Sequence, residues 1–210
     1  MTFKTLISLA RSGVLFFHLG ASFSRICWAL VWGFLPALVL GLAAGRSEKL
    51  NAVISPIIYI IHPLPKAAFL PLIMLFLGIG EISKIFLLSF IIFSQILVAV
   101  RDSSNRISQT YIDSVRSMGA NRFQIILHAI IPAALPDVFT SLRVSLGTVM
   151  AVLFLAETFA SSSGLGFLIV DAWTRIAYPE MYAAILVLSI LGLMLFGIAA
   201  LGERLFCPWK

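Results

Sequence analysis

The stretch YIDSVRSMGANRFQIILHAIIPAALP, residues 111–136, decides how the chain is read. Tyr111, Val115 and Met118 fall at i, i+4 and i+7, one face of a short helix. Gly119 follows, the residue type that closes a helix with a positive φ. Asn121 is placed to cap a second helix, in which Phe123, Ile126, Leu127 and Ile130 recur at helical spacing. Pro132 and Pro136 bracket the start of the next apolar run. The pattern predicts two short helices hinged at Gly119, with an apolar face and a basic face. On pattern alone two readings stay open: a helix pair resting on lipid headgroups, or a docking knob for a soluble partner.

Outside this stretch the chain is strongly apolar. Of its 210 residues 60% are hydrophobic and 11% charged, and the mean hydropathy is +1.06. Soluble domains carry about 25% charged residues, so a bilayer must solvate this surface. The apolar runs predict an all-α polytopic membrane protein with five spans, at 26–44, 52–80, 82–100, 134–157 and 181–202. The second is broken at His62, Pro63, Pro65, Lys66 and Pro71, because prolines cannot sit in an unbroken helix. Gly41 and Gly45 stand at GxxxG spacing, which lets another helix approach closely. Residues 3–22 carry Arg11 in their middle and read as a surface-lying helix, with a sixth span as the alternative. The implied division is an interfacial segment at 1–25, a membrane domain at 26–205 containing the polar loop 101–133, and a tail at 206–210.

The net charge is +6, from 15 Lys and Arg against 9 Asp and Glu. In a membrane chain this reads as loop anchoring, not as nucleic-acid binding. With five spans, Arg46, Lys49, Arg101, Arg106, Arg116, Arg122, Arg204 and Lys210 share one side, which becomes the cytoplasmic one. Lys4, Arg11, Arg25, Lys84 and Arg175 fall on the other, and the N-terminus is then outside. The first 25 residues hold no uninterrupted apolar segment of the kind a cleavable signal needs. Cys27 and Cys207 make no disulfide framework. No phosphate-binding Gly-rich Lys-Ser/Thr loop, no HExxH and no paired Cys/His spacing occurs, so no catalytic residue, metal site or bound cofactor is expected on this chain. Glu157, near the end of its span, reads as either a gate residue or a hydrated end cap. His62, Pro63 and Pro65 are candidate pathway residues; the alternative is a polar group paired with carbonyls freed at the break. Arg143, six residues from Asp137 and unable to share its face, reads as a snorkelling anchor.

DSVRSMGANRFQIILHAIIPAALP resembles the cytoplasmic loop of type I ATP-binding-cassette (ABC) importer permeases. That motif is Glu-Ala-Ala, three residues, Gly, then an Ile shortly before Leu-Pro. Asp113, Ser114 and Val115 stand at the first three positions, Gly119 at the Gly, Ala129 at the Ile, and Ile131 and Pro132 at the final pair. HPLPKAAFLPLIMLFLGIGEISKIFLL (62–88) and AETFASSSGLGFLI (156–169) are similar to segments of the nitrate/sulfonate/taurine branch, and the likeness runs over about residues 15–205. The resemblance implies the type I importer fold, which in this branch commonly has six spans, in a bacterial inner membrane. It implies that Asp113, Ser114, Val115, Arg116, Gly119, Ala120, Asn121, Arg122, Phe123 and Pro132 couple the chain to an ATPase. The implied partners are two ABC ATPase subunits carrying ATP and Mg, a periplasmic or lipid-anchored solute-binding protein, a second permease copy or paralogue, and membrane lipids. Ser161, Ser162, Ser163, Gly164 and Gly166, with Asp171, Arg175 and Glu180, would form a flexible external stretch that meets the binding protein or is simply solvated. The implied solute is a sulfonate, taurine or nitrate-like anion. A heterocyclic vitamin precursor is the alternative, and an ion-coupled secondary carrier a more distant one, since neither internal repeats nor midplane ion-binding groups are evident.

Overall fold

The computed structural model describes residues 2–209, and every element among them is helical. In order these are α1 (Thr2–Arg11), α2 (Val14–Arg46), α3 (Glu48–Ile61), a 3-10 turn (Lys66–Phe69), α4 (Leu70–Leu77), α5 (Glu81–Arg106), α6 (Gln109–Ser117), α7 (Arg122–Ile125), a π turn (Ile126–Ile130), α8 (Ile131–Thr158), α9 (Leu165–Thr174) and α10 (Tyr178–Phe206). Four rods are long and apolar enough to cross a membrane: Val14–Arg46, Glu81–Arg106, Arg122–Thr158 and Tyr178–Phe206. The pair Glu48–Ile61 and Lys66–Leu77, bent by 84°, makes a fifth if it is one span. The break falls at His62–Pro65, where the prolines withhold backbone donors, and Lys66 Nζ donates to the freed His62 carbonyl at 3.0 Å.

The span read as 82–100 runs on to Arg106 and the one read as 181–202 covers Tyr178–Phe206, and two boundaries differ more deeply. The first span begins at Val14 rather than at residue 26, so the surface helix expected over 3–22 shrinks to α1. Gly13, with φ 78°, turns the chain between them. The helix runs on through Arg25 because that charge is answered inside the protein and does not need the water of an interface. The second difference is at Pro132. The expected short helix over 122–131 is no separate element but the start of a 37-residue rod, Arg122–Thr158. A proline inside an α-helix clashes with the carbonyl four residues earlier. Here the preceding turn is widened: Ile131 N–H bonds to Ile126 O, five residues back, and the chain passes Pro132 without breaking.

The core is a seam between α2 and α5. Cβ atoms at Gly33, Gly41 and Gly45 would lie 2.6 Å from Ser89 O, 2.7 Å from Val100 Cβ and 2.6 Å from Arg101 O, respectively. The two backbones are therefore in contact along one stripe of α2, extending the Gly41/Gly45 spacing by two more turns. Ile26, Ala29 and Ala37 of α2 meet Leu88, Ile92, Ile96 and Val100 of α5 in the same cluster, and Val149, Leu153 and Ala156 of α8 close it from the other side. Trp28, Trp32, Leu35 and Val39 of α2 and Leu193, Met194, Ile198 and Leu201 of α10 point outward, a surface that lipid solvates. Lipid is as apolar as these side chains, so close fit rather than escape from water holds the seam. Gly41→Leu is expected to force α2 and α5 apart and cost about 1–3 kcal/mol; thermal unfolding in detergent should show a clearly lower midpoint, and an unchanged one would contradict the seam.

Candidate functional site

Two clusters sit at opposite ends of the bundle. The first is the Gly119 turn. Ser108 caps α6 by accepting from Tyr111 N–H at 3.3 Å. The helix closes with Gly119 N–H on Arg116 O at 2.9 Å, and Gly119 has the expected positive φ, 88°. Nothing lies within 4 Å of a Cβ built there, so the requirement for glycine is one of backbone conformation alone. Asn121 then caps the long rod reciprocally: its side-chain oxygen accepts from Gln124 N–H at 2.9 Å, and Gln124 Oε1 accepts from Asn121 N–H at 2.8 Å.

The inward face of this turn is not the stripe expected from spacing. Ile112, Ile125, Ala129 and Ile130 are buried together, with Leu42, Ile107, Val115 and Ala120 against them. Tyr111, Ile126 and Leu127 are exposed, and Met118 and Phe123 are 87% and 71% exposed. Asp113, Ser114, Arg116, Asn121 and Arg122 also face outward, with Asp113 and Arg116 paired at 3.2 Å. The turn thus has two apolar faces, one holding it to the bundle and one free. Arg46, at the end of α2, braces its base, donating to Ser104 O at 3.3 Å and to Gln109 Oε1 at 3.2 Å. Sequence reading gave Arg46 only a topological vote and missed this brace.

The second cluster is ionic and buried. Arg25 and Glu157 have no exposed side-chain surface and pair at 2.7 Å. Arg25 also pairs with Glu81, at the head of α5, at 2.5 Å, and donates to Ser163 Oγ at 2.8 Å. Glu157 accepts from Ser22 Oγ at 2.7 Å and from Gly166 N–H at 2.7 Å. Ser22 Oγ in turn accepts from Leu165 N–H at 2.8 Å, and His18 Nδ1 accepts from Gly164 N–H at 3.1 Å. Lys84 joins through Ser161 Oγ at 2.8 Å, whose own proton goes to Ser163 O. Two cations and two carboxylates, on α2, α5 and α8, are thereby tied to one loop.

Several expectations change here. Glu157 is an interhelical anchor with saturated oxygens, not a hydrated end cap. None of its hydrogen-bond or ion-pair partners comes from the His62–Pro65 turn, whose His62, Pro63 and Pro65 are exposed. The loop expected to be flexible is turned inward: Gly164 and Gly166 are buried, and of the three serines only Ser162 is exposed. A Cβ on Gly164, where φ is 110°, would collide with the Glu157 carboxyl carbon and stand 2.5 Å from Arg25 Nη1. Arg143 is not a free anchor either. It pairs with Glu203 of α10 at 2.5 Å and lies 5.9 Å over the Phe196 ring.

The same arrangement of segments occurs in known proteins. The sequence profile of the binding-protein-dependent transport system inner membrane component family matches residues 37–206. This chain belongs to that family. It is 37% identical over 193 residues to the taurine transport system permease protein TauC of Escherichia coli (strain K12), covering 91% of this chain and 70% of that one. It is 30% identical over 210 residues to the putative aliphatic sulfonates transport permease protein SsuC of Bacillus subtilis (strain 168), covering all of this chain and 75% of the relative. Among solved structures, the MetNI methionine ABC transporter in an inward-facing conformation superposes with a TM-score of 0.68 at 24% identity, over 89% of this chain and 91% of the other. The fold is therefore that of an ABC importer permease, and the chain is a transport subunit.

Removing one member of a buried ion pair strands its partner at a cost of about 3–5 kcal/mol, whereas removing both together costs far less. Glu157→Gln is accordingly expected to lower detergent stability sharply, and the double change Arg25→Met with Glu157→Met to recover most of the loss. Equal instability of the single and double variants, by thermal unfolding, would remove the ion pair as the organising contact.

Proposed function

We propose that this chain is the solute-conducting subunit of an ATP-driven importer in a bacterial inner membrane, and that its solute is a small sulfonate. Two ATPase subunits, holding ATP and magnesium, would grip the Gly119 end; a solute-binding protein would deliver at the opposite end; and a second permease copy would complete the pathway.

The observation that carries the reading is the Gly119 turn itself. It is capped on both sides, fastened by a buried apolar face and the Arg46 brace, and still offers Tyr111, Met118 and Phe123 outward. A coupling element needs that combination of stiffness and free apolar surface, since a soft loop would absorb the motion it has to transmit. The charge distribution supports placing this end in the cytoplasm. Of the five basic residues assigned to the other side, Arg25 and Lys84 are buried in the ionic cluster. Only Lys4, Arg11 and Arg175 then oppose the seven described at the Gly119 end, Arg46, Lys49, Arg101, Arg106, Arg116, Arg122 and Arg204. In mechanism, ATP-driven closure of the two ATPases would draw the turns together, and the rods leading from them would swing the pathway from inward-open to outward-open. The relatives named for taurine and for aliphatic sulfonates support the choice of solute.

Gly119→Val should insert and assemble but lose uptake and solute-stimulated ATP hydrolysis, because a β-branched residue at positive φ costs about 1–2 kcal/mol or more. Gly119→Asn, which tolerates that conformation, should retain both. Phe123→Asp with Met118→Asp should weaken co-purification of the ATPase about tenfold. Normal uptake by Gly119→Val, together with undiminished ATPase capture by the double variant, would falsify the coupling role.

A further inference from the structure

Where α2, α3 and the α5–α6 turn meet, at the Gly119 end, lies a polar cleft of about 410 Å³ whose lining includes Arg46, Ser47, Glu48, Asn51, Arg106 and Ser108. Asn51 is half-buried and the other five are exposed, so the cleft is open. Its charges are unanswered. Arg46 meets neutral acceptors, the Ser104 carbonyl at 3.3 Å, the Ile107 carbonyl at 3.5 Å and Gln109 Oε1 at 3.2 Å. Among the described residues neither the Arg106 nor the Glu48 side chain has a hydrogen-bond or ion-pair partner. Ser47 and Ser108 accept from Leu50 N–H and Tyr111 N–H, each at 3.3 Å, which leaves both hydroxyl protons to be given. The cleft therefore offers two guanidinium groups and two hydroxyls to an anion, and one carboxylate to a cation.

Arg46 and Arg106 are the last residues of two membrane-crossing rods, so the cleft stands at the edge of the apolar layer. Ile58 on α3 and Val98 on α5 lie seven residues inward from Asn51 and Asn105, about two turns along each helix and so on the same faces. With Ile57 and Leu97 they line a narrow apolar cleft. One polar contact, Arg101 Nη1 to Ser55 Oγ at 3.1 Å, lies between the two. A groove polar at its mouth and apolar further in has the profile of a phospholipid, headgroup above acyl chain. We propose that the cleft seats the headgroup of a phospholipid carrying a primary amine, as in phosphatidylethanolamine. Arg46, Arg106 and the two serine hydroxyls hold the phosphodiester oxygens, and Glu48 accepts from the ammonium. An acidic side chain from a protein partner would satisfy the arginines but set a second carboxylate against Glu48. Because Arg46 also braces the Gly119 turn, an occupied cleft ties the head of α3 to that turn. The assignment goes beyond the importer reading and does not depend on what the chain transports.

The test takes the whole chain in detergent, with any subunits that purify with it, and follows retained lipid by native mass spectrometry. The probes are phosphatidylethanolamine, phosphatidylcholine, whose quaternary ammonium has no N–H, phosphatidylglycerol, which has no amine, and free phosphoethanolamine. The wild type should hold one phosphatidylethanolamine about fivefold or more tighter than phosphatidylcholine. Glu48→Gln should erase that preference and leave phosphatidylglycerol affinity within about twofold, whereas Arg106→Gln should lower the affinity for both lipids about tenfold. Lys49→Gln, an exposed neighbour outside the cleft, should change neither by more than about twofold. Undiminished phosphatidylethanolamine binding by Arg106→Gln overturns the site, as does an equal loss in Lys49→Gln, which marks diffuse surface attraction. Equal wild-type affinity for phosphatidylethanolamine and phosphatidylcholine, a comparison that needs no variant, overturns the amine assignment. Free phosphoethanolamine binding as tightly as the lipid overturns the membrane as its source. Uptake enters none of these readouts, so each failure leaves the importer reading standing.

Discussion

A guanidinium shut away from both water and headgroups has to be answered by the protein, and Arg25 is answered by two carboxylates at once. One of them, Glu157, is equally enclosed, so neither charge survives the loss of the other cheaply. This pairing sets the terms for everything around it. Glu157 still has lone pairs to satisfy, and Ser22 and the Gly166 amide supply them. Those contacts draw the 161–166 loop down onto the helix ends, and the loop can come that close only because Gly164 and Gly166 have no Cβ. Three spans distant in sequence are thereby closed at one end by electrostatics, where the lipid-like interior of a bundle offers little other cohesion.

The other end is linked to this one by stiff elements. The glycine seam holds α2 and α5 backbone to backbone from Gly33 to Gly45. The rod that begins at the Asn121 cap runs 37 residues, about 55 Å, to Glu157's end without a break, because the π turn absorbs Pro132. Under the proposed reading this continuity is what makes the Gly119 turn useful. A displacement applied at Phe123 is carried by the same helix that holds Glu157 against Arg25, so the ionic cluster acts as the far fixture of a lever and not as an isolated anchor.

Local chemistry was legible in the sequence and long-range pairing was not. Gly119 and Asn121 announced their turn and cap because those roles depend on a residue's own backbone preferences. The GxxxG spacing at Gly41 and Gly45 marked the seam for a steric reason, since residues without a Cβ let two helices touch. Pro132 misled: its usual effect is to end a helix, and nothing nearby signals that one widened turn lets the helix continue. Tyr111, Val115 and Met118 do share a face, yet spacing cannot say which of two apolar faces turns inward, and Ile112 took that place. Arg25 and Glu157 stand 132 positions apart. The available clue was that each lies in an apolar run where a lone charge is costly, which asks for a partner of opposite sign without saying where it is. Gln95 and Thr148 gave less still, being ordinary polar residues until the fold brings them within 3.4 Å of each other.

The two apolar surfaces of the protein differ in a way that bears on what each touches. The belt formed by Trp28, Trp32, Val39, Leu193 and Ile198 runs along the middle of spans with no charge between them, which suits acyl chains. At the Gly119 turn, Met118 and Phe123 are separated by exposed Asn121 and Arg122 and followed by exposed Gln124. Acyl chains could not take Phe123 without stripping water from Arg122 and Gln124, at a cost greater than burying one ring returns. A headgroup layer could hold the arginines but offers no pocket for an almost fully exposed Met118. A protein groove meets both demands, apolar in the centre with acceptors at its rim, and that is the usual composition of a protein–protein interface.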